Sequence, residues 1–182
     1  MTISLILTIP HCEGTNDNFH IVDEYAKKAI NIFKENINSY IDLYIFRGNI
    51  KRYIIDLNEF NSRDTNFRKE LNKEMKNLIK DNKKIFLLDL HSYDFNQNIG
   101  KNLEIYFLHN IFNVNITHKL SRYLLNNNIS SGVFEGKKND ITFQASNLNI
   151  PNILVEFNEN LSLINLENVI IHIIQWILFY MK

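Results

Sequence analysis

Lys83-Lys84-Ile85-Phe86-Leu87-Leu88-Asp89-Leu90-His91-Ser92 is the stretch on which the fold turns. Ile85–Leu90 is apolar almost throughout, short, and preceded by a lysine-rich turn, which is the pattern of a central strand covered on both faces. Its far end is different: Asp89, His91 and Ser92 place polar, reactive side chains where the strand runs out.

Outward from this strand the chain alternates between two kinds of segment. Ile3–Ile9, stopped by Pro10, reads as another buried strand. Ile41–Phe46 and Tyr53–Leu57 read as two more, with Gly48-Asn49 marking the turn between them. Glu104–Leu108, Gly132–Phe134 and Ile153–Phe157 (introduced by Pro151) complete the strands. Apolar residues at helical spacing place helices over about 19–38, 63–80, 116–125 and 163–181, with a short one over 141–147. Strand–helix alternation of this kind predicts an α/β sandwich with helices on both faces of the sheet.

Composition narrows the class. A chain of 182 residues fits a single domain spanning 1–182, and 45% hydrophobic with 22% charged residues marks a globular protein. Twenty basic residues balance twenty acidic ones, so the basic footprint of a nucleic-acid binder is missing. A lone cysteine, Cys12, rules out an internal disulfide framework and suits a reducing, cytoplasmic setting. Nothing near the N-terminus reads as a signal peptide. The apolar stretch from Val169 is interrupted by His172 and Gln175 and is short for the ~20 residues of a membrane span, so it reads as a helix laid on the sheet. Oligomeric state is not legible.

Ligands in open α/β sheets gather at the carboxyl ends of strands. Here three predicted strands end in reactive residues: Pro10-His11-Cys12-Glu13, Asp89-Leu90-His91-Ser92 and Val155-Glu156-Phe157-Asn158. Neutral imidazole plus carboxylate is what Zn²⁺ binds, and a catalytic zinc uses three protein ligands. His11 and His91 supply two and Glu13 the third, which leaves Glu156 as general base. Asp89 shares a strand face with His91 and can accept its second N–H. Ser92 reads as a hydrogen-bonding residue near the metal. Cys12 points away from the adjacent His11 and is not a nucleophile; His172 reads as a helix-packing histidine, and His20, His109 and His118 lack a partner pattern.

Taken in order, Thr8–Gly14, Arg52–Asn58, Leu87–Tyr93 and Pro151–Asn158 resemble the N-formylglutamate amidohydrolase-like proteins, a branch of the zinc carboxypeptidase superfamily. Asp-Leu-His-Ser behind an apolar strand is the most specific of these pieces. The resemblance implies a mixed sheet of roughly eight strands in a three-layer sandwich. It also implies a zinc-dependent hydrolase cutting an amide bond in a small or peptide-like substrate. On it, His11 and His91 are zinc ligands, Glu156 is the base, Arg52 lies near the scissile carbonyl, and Asn58 falls at a substrate-binding asparagine. A binding protein that keeps the cleft, or a carboxypeptidase acting on protein tails, are the alternatives.

Two positions depart from the family. Gly14 stands where the superfamily has its glutamate, leaving Glu13 as third ligand with Asp17 and Asp23 as alternatives. Glu59 stands where the family has an arginine that pairs with a substrate carboxylate. Either Arg63 or Arg68 takes over that task, or the substrate is not an acidic acyl-amino acid.

Overall fold

The computed structural model describes residues 2–12, 23–52, 54–93, 102–136 and 140–182. Apolar runs become strands and amphipathic stretches become helices: β1 (Ile3–Ile9), α1 (Glu24–Asn36), β2 (Ile41–Arg47), α2 (Asn66–Lys80) and β3 (Lys84–Tyr93). They continue as β4 (Ile105–His109), α3 (Val114–Asn126), β5 (Ser131–Glu135), α4 (Asp140–Asn147), β6 (Asn152–Asn158) and α5 (Leu163–Tyr180).

The strands form one six-stranded sheet in the order β2-β1-β3-β6-β4-β5. β1 pairs in parallel with β2 and β3, and β3 with β6; β4 runs antiparallel to β6 and parallel to β5. The sheet is mixed, with six strands among the described residues rather than roughly eight. The chain passes from β1 outward to β2, then returns to place β3 on the other side of β1. The strand order therefore reverses at the β1/β3 boundary, and the crevice beyond its carboxyl ends is where such sheets bind ligands.

Side chains alternate across the sheet, and each face has its own core. Leu5, Leu7 and Ile9, Phe86, Leu88 and Leu90, and Ile153, Val155 and Phe157 pack with α1, α3 and α5 in the larger one. Ile6, Ile85 and Leu87 pack with Phe67, Leu71 and Met75 of α2 and Ile141 and Ala145 of α4 in the smaller. Helix α5 is long and apolar enough to cross a membrane by length and composition. Here one face of it, with Leu166, Val169, Ile170, Ile173, Ile174, Trp176 and Ile177, is buried in the larger core.

One expected strand is not there. Tyr53 lies outside the described residues, and Ile54–Leu57 is turn and loop. Its backbone is satisfied locally, with Ile54 and Ile55 N–H donating to the Lys51 carbonyl and Glu59 N–H to that of Asp56. Leu57 is buried in the smaller core and Ile55 packs partly against it, while Ile54 is 61% exposed, and no strand partner lies along the run among the described residues. β3, by contrast, runs three residues beyond Leu90, which puts His91 inside the sheet rather than after it.

Candidate metal centre and active site

His11 follows β1 directly, and its position is set by a close backbone approach. Gly48 N–H donates to the Ile9 carbonyl at 2.8 Å, and a Cβ at position 48 would collide with the Pro10 carbonyl. Only glycine lets the end of β2 lie against the turn that carries His11. His91 sits on β3 level with Glu156 of β6, and both leave the sheet on the α2/α4 side with Asp89.

The two rings, His11 and His91, meet edge to face with centroids 4.9 Å apart. Each turns Nδ1 to the same atom, Asp23 Oδ2, at 3.1 Å from His11 and 3.0 Å from His91. Each turns Nε2 the other way, to a different carboxylate: His11 to Asp56 Oδ1 at 2.8 Å, His91 to Asp89 Oδ2 at 3.3 Å. Asp89 is held in turn by the Thr8 hydroxyl (2.5 Å) and by the Asn58 amide (3.1 Å). Asp56 also accepts from the Asn58 backbone N–H and from Arg52 Nε, both at 3.0 Å.

This arrangement has a chemical consequence. A nitrogen facing a carboxylate oxygen must carry a proton, so a metal-free site with these contacts needs protons on both Nδ1 atoms. A divalent cation at the point of convergence takes the place of those protons and leaves both rings neutral. His11, Asp23 and His91, all buried, bring their ligand atoms within 4.8 Å of one another. With each Nε2 backed by its own carboxylate, the donor set fits a transition metal.

The charges respond to this crowding. Burial works against ionised Asp23, but its bonds to His11 and His91 hold its pKa down to about 2. Burial likewise works against a charged His91, yet Asp89 and Asp23 raise its pKa well above the ordinary value. Glu156 keeps a partly exposed edge, but its carboxyl is set deep enough that burial pushes its pKa up to about 7. Asp23 pushes it the same way, and His91, His11 and Arg52 pull it back.

Of the other residues singled out from the sequence, Arg52 stands at the edge of the site, with its side chain 44% exposed and paired with Asp56. Asn58 is buried and turned inward: its Nδ2 donates to Asp89, and its Oδ1 accepts the Ile141 N–H at 3.3 Å. Glu59 is partly buried at the start of the 3-10 turn Phe60–Ser62. Glu13 and Asp17 lie outside the described residues.

Two expectations need correction. Arg68 has no exposed side-chain surface; its guanidinium donates to Asp140, Gln144, Ser62 and the Leu57 carbonyl, so it braces the fold instead of meeting a substrate. Arg63 grips the same Asp140 through Nε at 2.8 Å and Nη2 at 2.6 Å, which fills its fork. Ser92 is the second case: strand alternation turns it to the face opposite His91, where its hydroxyl donates to Glu159 at 2.6 Å.

The residues that complete the site are Asp23 and Asp56. Asp23 precedes α1 and looks like an ordinary N-cap, yet its side chain makes no capping hydrogen bond and is spent on the two histidines. The caps of α2 and α5, Thr65 and Ser162, do accept from their own helices. Asp56 was visible only as part of Arg52–Asn58, with nothing local to show that it meets His11 forty-five residues away.

No family model matches the sequence, and no curated protein matches it. Solved structures do. N-formylglutamate amidohydrolase from Ralstonia eutropha JMP134 superposes with a TM-score of 0.63 at 10% identity, over 97% of this chain and 94% of that one. The catalytic domain of CwlV, an N-acetylmuramoyl-L-alanine amidase from Bacillus (Paenibacillus) polymyxa var. colistinus, gives 0.55 at 14% identity, covering 99% and 98%. The mDAP-bound D,L-carboxypeptidase Csd4 of Helicobacter pylori gives 0.65 at 14% identity over 99% of this chain, which spans 51% of that one. At these identities the likeness is one of fold.

Proposed function

We propose that this chain is a zinc-dependent hydrolase of amide bonds in acyl-amino-acid or peptide-like substrates, working in a reducing compartment. The observation that carries the reading is the convergence of His11 Nδ1, His91 Nδ1 and Asp23 Oδ2 with Glu156 level with His91 on the neighbouring strand. Structural likeness to an amidohydrolase, an amidase and a carboxypeptidase supports the choice of reaction. His11, Asp23 and His91 would hold the metal, and zinc bound there supplies Lewis-acid polarisation of a carbonyl and acidifies water.

The chain's own groups do the rest. Glu156, with a pKa near 7, accepts a proton from the attacking water at neutral pH and can return it to the leaving nitrogen. Arg52, tethered through Asp56, sets a cation at the rim where negative charge develops on the carbonyl oxygen. Asp56 holds the His11 ring at Nε2, and Asp89 together with the Asn58 amide (3.1 Å) holds that of His91. Asp140 occupies both nearby arginines and Glu59 adds a further acid, which favours substrates without a carboxylate at that side.

The test is turnover of a panel of N-acylamino acids, acyl-dipeptides and muropeptides by metal-free and zinc-restored protein. Activity on at least one class, lost on chelation and regained with zinc, is expected. Zinc-loaded protein inert across the panel would remove the catalytic reading.

A further inference from the structure

Beside Glu156 stands a buried tyrosine ring. Tyr106 of β4 lies directly across from Glu156 of β6, so both side chains leave the sheet on the same face, with Cβ atoms about 5 Å apart. The ring is fixed in place: Tyr106 is 6% exposed and packs between Tyr93, at 4.6 Å between centroids, and Phe134, at 5.5 Å. Its hydroxyl has no such engagement. Among the described residues Tyr106 makes no hydrogen bond, and the buried side-chain atoms left without a partner are Ser4 Oγ and Arg68 Nε.

Other tyrosines behave differently. Tyr93 and Tyr25 each donate to a backbone carbonyl at 2.7 Å, those of Leu103 and Leu161. A phenol whose ring is buried ordinarily finds a partner. Burial and the neighbouring Glu156 carboxyl both raise the Tyr106 pKa, so the group stays protonated and can act as a donor.

We propose that Tyr106 is a substrate-binding residue. Its hydroxyl donates to an acceptor oxygen of the amide held beside Glu156, and the rings of Tyr93, Tyr106 and Phe134 form the wall that receives the adjoining apolar group. This rests on the amide-hydrolase reading above and gives it a substrate class: an uncharged amide flanked by an apolar side chain. Glu156, the carboxyl directly across from the phenol, disfavours an anionic group at this wall.

The probe is N-acetyl-L-leucine amide, titrated calorimetrically into zinc-loaded wild type and Tyr106→Phe, with melting temperature and zinc content measured alongside. Loss of one neutral hydrogen bond raises Kd by about 3–10-fold in the variant. Melting temperature and zinc content stay level, because no hydrogen bond among the described residues is lost. No binding by wild type, an unchanged Kd, or a melting temperature several degrees lower in Tyr106→Phe would each overturn the assignment. Hydrolysis of the same probe is scored separately. A probe that wild type binds and leaves intact counts against catalysis, and the change in Kd still decides the role of Tyr106.

Discussion

The two faces of the sheet are made from the same strands and do different things. On β3, Leu88 and Leu90 point into the larger core beneath α1, α3 and α5, while Asp89 and His91, alternating with them, point to the other side. β6 repeats the division, with Val155 and Phe157 on the core side and Glu156 opposite. The α2/α4 face is apolar only at the start of the strands, at Ile85 and Leu87, and becomes ionic toward their carboxyl ends. Parity alone thus separates the residues that hold the sheet together from those that face the site. A slip of one residue in register would exchange them, which is why the apolar face fixes the geometry of the polar one.

The division is open to attack from both sides. Glu156→Gln keeps the shape and removes the proton acceptor, so kcat should fall by roughly 10²–10⁴ while zinc stays bound and the melting temperature does not drop. Leu90→Ala should do the reverse, costing about 2–5 kcal/mol of stability through the cavity it leaves, with zinc stoichiometry intact below the melting transition. If Glu156→Gln destabilises as much as Leu90→Ala, the two faces are not separable. A finer probe is Asp89→Asn, which leaves the core untouched and loosens the hold on His91. Zinc affinity should weaken about 10–100-fold by competition with a chelator, and an unchanged affinity would relieve Asp89 of its orienting role.

The smallest effect concerns pH. The Glu156 pKa is raised on folding from 4.5 to about 7, so in metal-free protein its contribution to stability is lost as pH rises through that window. His91, raised well above 6.5, contributes fully below that value and loses its contribution as pH rises through its folded pKa. Metal-free protein should therefore melt lower at pH 8 than at pH 5.5. Zinc needs unprotonated imidazoles, so the stabilisation that it adds should be larger at pH 8. Thermal melts with and without zinc at both values check this, and a larger zinc shift at pH 5.5 would count against histidine ligation.

What the sequence revealed follows the same line. Short apolar runs such as Ile3–Ile9 and Ile153–Phe157 declared themselves as strands because burial on both faces leaves no other reading. Tyr53–Leu57 was read as a strand on the same apolar signal, but Ile54–Leu57 spends its backbone in turns, a decision made by hydrogen bonds to Lys51 that composition does not carry. His11, His91 and Glu156 were legible because each lies close to the carboxyl end of a strand. Asp23 was legible only as an alternative third ligand behind Glu13, because the helix expected over about 19–38 enclosed it, whereas α1 starts at Glu24 and leaves its carboxylate turned to the histidines. Arg68 misled for a related reason: a guanidinium in an amphipathic helix reads as exposed, and Asp140 that buries it lies seventy-two residues away.

Zinc titration into metal-free protein, followed by calorimetry, bears most directly on the centre formed by His11, Asp23 and His91. Wild type should bind one equivalent per chain, Asp23→Ala should lose that tight binding, and Glu13→Ala should retain it. Absence of saturable binding in wild type would refute the metal centre. Binding lost in Glu13→Ala and untouched in Asp23→Ala would return the third ligand to the loop after β1.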